Sequence, residues 1–169
     1  MGLYVREGFH SFGQSKLECS CYESYVFHIF SRLDNFYLYV FYHNPGHNGS
    51  LNDCLLDSMT RVQSADDKAI FVFGEADAHH SEWLESVSPT DRHGRDALDF
   101  CNLSGCEQLV RCPTHIASNR LDLEMSDVPD IVDVVVGTLH SALQIAALSV
   151  VCFMFSRPCR SIMSEVLSF

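Results

Sequence analysis

Residues 71–83 read FVFGEADAHHSEW. An apolar run enters a glycine and then meets two carboxylates and two histidines within six residues, Glu75 to His80. Extended back to Ala69, the apolar part is short and uninterrupted, which predicts a strand at 69–74 buried on both faces. Acids placed just past such a strand stand where rigid backbone can aim them at a common target. By spacing alone, however, a carboxylate after a strand is most often a solvated turn residue, and paired histidines are most often a surface feature.

Upstream, YESYVFHIF at 22–30 and FYLYVFY at 36–42 are rich in aromatic and β-branched residues. The turn-like SRLDN between them predicts a β-hairpin. A helix is expected from Ser50 to about Ser64, with Ser50 as N-cap and Leu51, Cys54, Leu55, Met59 and Val62 on one face. Downstream, a polar loop at 75–92 leads to a short helix, GRDALDFCNLSG, closed by Gly105. Strands are expected at 107–112, 120–126 and 130–137. This order predicts an α/β protein, a two-sheet β-sandwich flanked by helices, with no internal repeat.

At 169 residues and 47% hydrophobic content, the chain suits one globular core. Its net charge of −11 is the wrong sign for holding nucleic acid by charge alone, so any DNA role needs a metal or a partner. The eight cysteines contain no CxxC pair, and MGLYVREGF lacks the apolar stretch of a secretory leader. They are expected to be reduced thiols of a nuclear or cytoplasmic protein. Zinc at Cys101, Cys106, Cys112 and His115 matches no common finger spacing. The apolar run at 142–155 is shorter than the ~20 residues of a membrane span, so no membrane partner is expected.

Phosphodiester hydrolysis requires charge neutralisation on the phosphoryl oxygens, an activated water and a stabilised leaving group, which carboxylate-held Mg²⁺ and a base supply. Glu75 and Asp77 follow one predicted strand and Asp122 lies within another, so two of the three can meet at one sheet edge. Tyr42 alone reads as a strand-end aromatic, and His115 as a loop residue.

Several separated motifs occur in the order of one family. They are YVREGF, SKLECS, FYHNPGHNGSLNDCLLDSM, FGEADAHHSEW and the segment 88–138 from SPTDRHGRDALDF to DVVVGT. Over about residues 3–138 the chain resembles the endonuclease domain of non-LTR (LINE-type) retrotransposons, in the apurinic-endonuclease-like branch of the endonuclease/exonuclease/phosphatase superfamily. The resemblance implies two packed sheets flanked by helices, Mg²⁺ as cofactor and DNA as partner. It also implies nicking of target DNA, whose exposed end primes an associated reverse transcriptase; no polymerase motif lies within these residues.

Carried over residue by residue, Tyr42 matches the tyrosine that touches the scissile phosphate, and Asp122 matches the aspartate of the RxD strand. The family's central motif is Gly-Asp-x-Asn-Ala-His, and here it reads GEADAH. Glu75 therefore takes the position of the aspartate that orients water, and Asp77 that of the asparagine that holds phosphate. The resemblance gives Tyr42, Glu75, Asp77 and Asp122 as catalytic positions and Glu75 and Asp122 as metal-holding ones. Glu75 keeps a carboxylate on a longer arm, and a misplacement of about 1 Å can cost roughly a hundredfold in rate. Asp77 replaces an amide donor by an acceptor, which repels a phosphate.

The family's N-terminal strand with its metal-binding glutamate, and its C-terminal Ser-Asp-His, have no counterpart here, so a fold truncated at both ends is expected. Residues 139–153, LHSALQIAALSVVCF, can be back-translated so that a shifted frame encodes Pro-Leu-Gly-Thr-Ser-Asp-Arg-Cys-Phe-Val-Ser-Cys. That string is the family's C-terminal motif with arginine in place of histidine. A frame change near Thr138 is expected, with 139–169 an out-of-frame apolar tail. The functional expectation is a DNA endonuclease, a hydrolase by resemblance, weak or inactive; the alternative is a non-catalytic binding module or a decayed fragment without function.

Overall fold

The computed structural model describes residues 5, 7–32, 34–43, 49–65, 68–84, 86, 88–110, 122–129, 132–137 and 150–155. Along the chain these form β1 (His10–Gly13), a 3-10 helix (Ser15–Leu17), β2 (Glu23–Phe30), β3 (Asn35–Tyr42), α1 (Leu51–Ala65) and β4 (Ala69–Glu75). There follow α2 (Arg92–Ser104), β5 (Glu107–Gln108), β6 (Asp122–Ser126), β7 (Val132–Gly137) and β8 (Val150–Phe155). The first six strands make one open sheet in the order β1-β2-β3-β4-β6-β5, and β7 and β8 pair antiparallel as a second sheet. Only β3 and β4 run parallel within the larger sheet, which is what a crossover through α1 produces.

The expected hairpin forms from β2 and β3, and its turn is closed by side chains as well as backbone. The Ser31 amide donates to the Asp34 carbonyl at 2.8 Å, and the Ser31 hydroxyl donates to the Asp34 carboxylate at 3.0 Å. In α1 the Ser50 hydroxyl accepts from the Asp53 amide at 3.2 Å, the expected N-cap, while Asp96 of α2 accepts from the Leu51 amide at 2.9 Å. Leu51, Cys54, Leu55, Met59 and Val62 are all buried, each large aliphatic contributing about 1.5–3 kcal/mol.

The second helix starts at Arg92, ahead of the expected Gly94, because Asp91 is the cap: its carboxylate accepts from the Gly94 amide at 2.7 Å. Gly105 ends the helix in the left-handed conformation, φ 71°. The strand expected at 107–112 is shorter; it pairs only at Glu107–Gln108, although Leu109 and Val110 are buried. Arg111 and Cys112 lie outside the described residues, as do Arg120 and Leu121 ahead of β6. β1 was not expected, since all four of its residues are exposed and show no apolar alternation. Of the tail, only Val150–Phe155 is described, as β8. No helix among the described residues is long and apolar enough to cross a membrane.

Both helices cover the same face of the larger sheet, where the helix side chains meet Tyr39, Phe41, Ile70, Val72, Leu123 and Met125 in one core. A second cluster, Ile29, Phe36, Leu38, Phe71 and Leu109, forms on the opposite face. β4 thus feeds Ile70 and Val72 into one core and Phe71 into the other, the two-sided burial read from its uninterrupted apolar run. At the end of β4 a Cβ on Gly74 would strike the carbonyl and ring of Phe41, so glycine lets the strands approach there.

Candidate active site

Strand alternation decides where the site residues point. In β3, Phe36 and Leu38 belong to the cluster opposite the helices, and Tyr42 follows at the same parity. Phe71 does the same in β4, which puts Glu75 on that face. In β6, Leu123 and Met125 face the helices, so Asp122 and Glu124 face away from them.

The register then aligns these positions. Tyr42 pairs with Glu75, and Glu75 with Asp122. Glu23, at the start of β2, pairs with Tyr42. Glu23, Tyr42, Glu75 and Asp122 therefore form one row across four strands, at one end and on one face of the sheet. Directly opposed residues of antiparallel strands hold their Cβ atoms about 4.5–5.5 Å apart, close enough for Glu75 and Asp122 to share a ligand. The row reaches solvent: Tyr42 is 37% exposed, Glu75 is exposed and Asp122 is half-buried. The His43 amide donates to the Glu75 carbonyl at 2.9 Å, so backbone bonding continues past Tyr42 and holds the rim.

Asp77 stands outside the row, in the loop that leaves β4. Its φ of 44° is a left-handed conformation that asparagine and aspartate adopt more readily than other side chains. Its Oδ1 lies 3.7 Å from His79 Nε2, and His79 Nδ1 is 3.0 Å from the Ser86 hydroxyl. Buried Ala76 and Ala78 anchor the loop on either side. Asp91 clamps it to α2: one carboxylate oxygen accepts from the amides of both His79 and Gly94, and the Asp91 amide donates to the His79 carbonyl at 3.0 Å. A Cβ on Gly94 would collide with that same carbonyl. His80 Nδ1 accepts from the amides of Glu82 and Trp83, at 3.3 and 3.0 Å. The paired histidines that raised the question of a metal thus organise a loop.

Sequence reasoning missed Glu124. It sits one row inward from Asp122, opposite Phe73, and is completely buried. Neither carboxylate oxygen has a hydrogen-bond partner among the described residues, and burial pushes the carboxyl up to about 8. The signal was present in RLDLEMS, where period-two alternation puts both acids on one face.

Of the four residues weighed for zinc, Cys101 and Cys106 are described. Cys101 donates its thiol to Met125 Sδ at 3.4 Å, and burial pushes Cys101 up to about 12 and Cys106 up to about 11. Both are core thiols, while Cys112 and His115 lie outside the described residues. For Mg²⁺ the donor set fits: this cation takes one or two carboxylates and completes its shell with water and phosphate, and Glu75 and Asp122 are neighbouring oxygen donors on a wet rim.

No family model matches the chain, and no curated protein matches it. Among solved structures it is similar to the endonuclease domain of TRAS1, a telomere-specific non-LTR retrotransposon. The TM-score is 0.60 at 19% identity, over 78% of this chain and 63% of that one. The chain thus spans less than two thirds of that structure's length. An endonuclease/exonuclease/phosphatase family protein from Bacteroides thetaiotaomicron matches with a TM-score of 0.43 and 8% identity, over 66% of this chain and 42% of that one. The first likeness shows a shared fold, the α/β architecture expected from the motifs.

Proposed function

We propose that the chain is a retroelement-type endonuclease domain, acting on DNA phosphodiesters with Mg²⁺, whose activity is weak or lost. The observation that carries this reading is the row in which Tyr42, Glu75 and Asp122, far apart in sequence, stand side by side at the exposed end of adjacent strands.

In this reading Glu75 and Asp122 hold Mg²⁺, which when bound offsets charge on the phosphoryl oxygens. The Tyr42 hydroxyl donates a hydrogen bond to a phosphate oxygen and fixes its orientation. Glu75 also accepts a proton from the attacking water, but its longer arm places that oxygen away from the line of attack. Asp77 turns an acceptor toward the phosphate where a donor is needed. Glu23, beside Tyr42, puts one of the carboxylates behind the net charge of −11 at the site itself, which slows the approach of a polyanion. Positioning, phosphate binding and steering are all impaired while the scaffold persists.

The test is nicking of supercoiled plasmid in Mg²⁺ by the full chain and by Asp122→Ala. At most a trace of nicking is expected, and that trace should vanish with the substitution. Robust nicking by the unaltered chain would refute the impaired state, and a trace indifferent to Asp122→Ala would refute the site. A binding module that holds no cation predicts instead a melting temperature indifferent to Mg²⁺.

A further inference from the structure

Away from the row of site residues, three thiols converge. Cys19 and Cys21 lie in the loop entering β2, and Cys54 lies in the first turn of α1. Their three Sγ atoms all lie within 4.8 Å of one another, the one such group of three ligand side chains among the described residues. All three are free thiols, Cys19 and Cys54 buried and Cys21 exposed.

The surrounding chain holds this geometry. The Cys19 amide donates to the Ser24 hydroxyl at 2.9 Å, and that hydroxyl donates back to the Cys19 carbonyl at 3.3 Å. The Arg61 guanidinium of α1 donates to the Glu18 carbonyl at 3.0 Å, tying the loop to the helix that carries Cys54. The Cys21 amide donates to Cys19 Sγ at 3.3 Å, a further tie within the loop. Small core residues account for buried cysteines such as Cys101. They do not account for an exposed cysteine turned onto two buried ones.

Metal–sulfur bonds of about 2.3 Å imply sulfur separations of about 3.8 Å in tetrahedral and about 4.0 Å in trigonal coordination, both inside the observed envelope. Soft thiolate sets select zinc(II) and copper(I) over hard cations. We propose that Cys19, Cys21 and Cys54 together bind one thiophilic closed-shell cation, zinc(II) or copper(I), as three thiolates. Three S–H bonds break and three metal–sulfur bonds form, the protons passing to solvent. The bound cation staples the entrance of β2, and with it Glu23, to α1. This site is independent of the nuclease reading.

The test uses the full chain, reduced and stripped of metal, titrated with zinc alone and, without oxygen, with copper(I) alone, and with cobalt(II) as a spectroscopic probe. One equivalent is expected, with a sulfur-to-cobalt charge-transfer band that Cys21→Ser and Cys54→Ser each abolish. A Cys101→Ser/Cys106→Ser variant should keep it. Metal at a hundred times its Kd should favour the native state about a hundredfold and raise the melting temperature accordingly. Because Cys21 is exposed, its variant retains the fold even if Cys54→Ser does not. The proposal fails if no band appears, if Cys21→Ser leaves it intact, if Cys101→Ser/Cys106→Ser removes it, or if two of the three thiols are found joined as a disulfide.

Discussion

The rim row and the row beneath it lie on the same strands and the same face, two residues apart along each strand, yet they treat carboxylates in opposite ways. On the rim, Glu23 and Glu75 are exposed and Asp122 half-buried. One step inward the register runs Tyr25, Val40, Phe73, Glu124. There the acid is sealed from water and pushed up to about 8 by burial alone. Depth in the sheet, more than residue type, decides whether an acid is available to a ligand or is a neutral group that burdens the core.

The strongest way to break this contrast is Glu124→Leu. Relative to its ordinary 4.5, a carboxyl at about 8 binds its proton more tightly in the folded than in the unfolded chain. Native stability should therefore fall as pH rises from about 4.5 to about 8 and level off above that. Glu124→Leu should remove this slope, stabilising the protein by about 5 kcal/mol above pH 8, since each pKa unit corresponds to about 1.4 kcal/mol. Below pH 4.5 the gain should be far smaller. Urea unfolding at a series of pH values measures it, and a slope unchanged by the substitution would show that Glu124 has a partner or water.

Asp77→Asn sharpens the rim side of the contrast. A donor in place of an acceptor should tighten binding of a short DNA duplex in Mg²⁺ by about tenfold or more, the worth of a hydrogen bond to a charged group. Fluorescence anisotropy reads this directly, and affinity unchanged by the substitution would remove Asp77 from phosphate contact. A smaller effect is expected of Asp91→Ala, which releases both the α2 cap and the loop that carries Asp77. A loss of about 1 kcal/mol, seen by thermal melting, is the expectation for a lost cap.

Much of the fold was legible locally. The aromatic and β-branched content of β2 and β3, the serine cap and apolar stripe of α1, and the uninterrupted run of β4 each carry their own signal within a few residues. β1 was illegible because its four exposed residues carry no alternation, and its partner in β2 supplies the order. The start of α2 was misjudged because Asp91 is surrounded by polar residues with no apolar period to mark it.

The sequence by itself determined most of the strands and helices, the apolar face of α1, the two-sided burial of β4, and which residue types occupy the site motifs. Those properties depend on neighbours in the chain. Only the tertiary structure decided that Tyr42, Glu75 and Asp122 share a row, that Glu124 lies sealed beneath them, and that Cys54 meets Cys19 and Cys21. Alternation fixes a side chain's face, but the register between distant strands is chosen by their packing, and a slip of one residue would turn every acid of a strand to the opposite face.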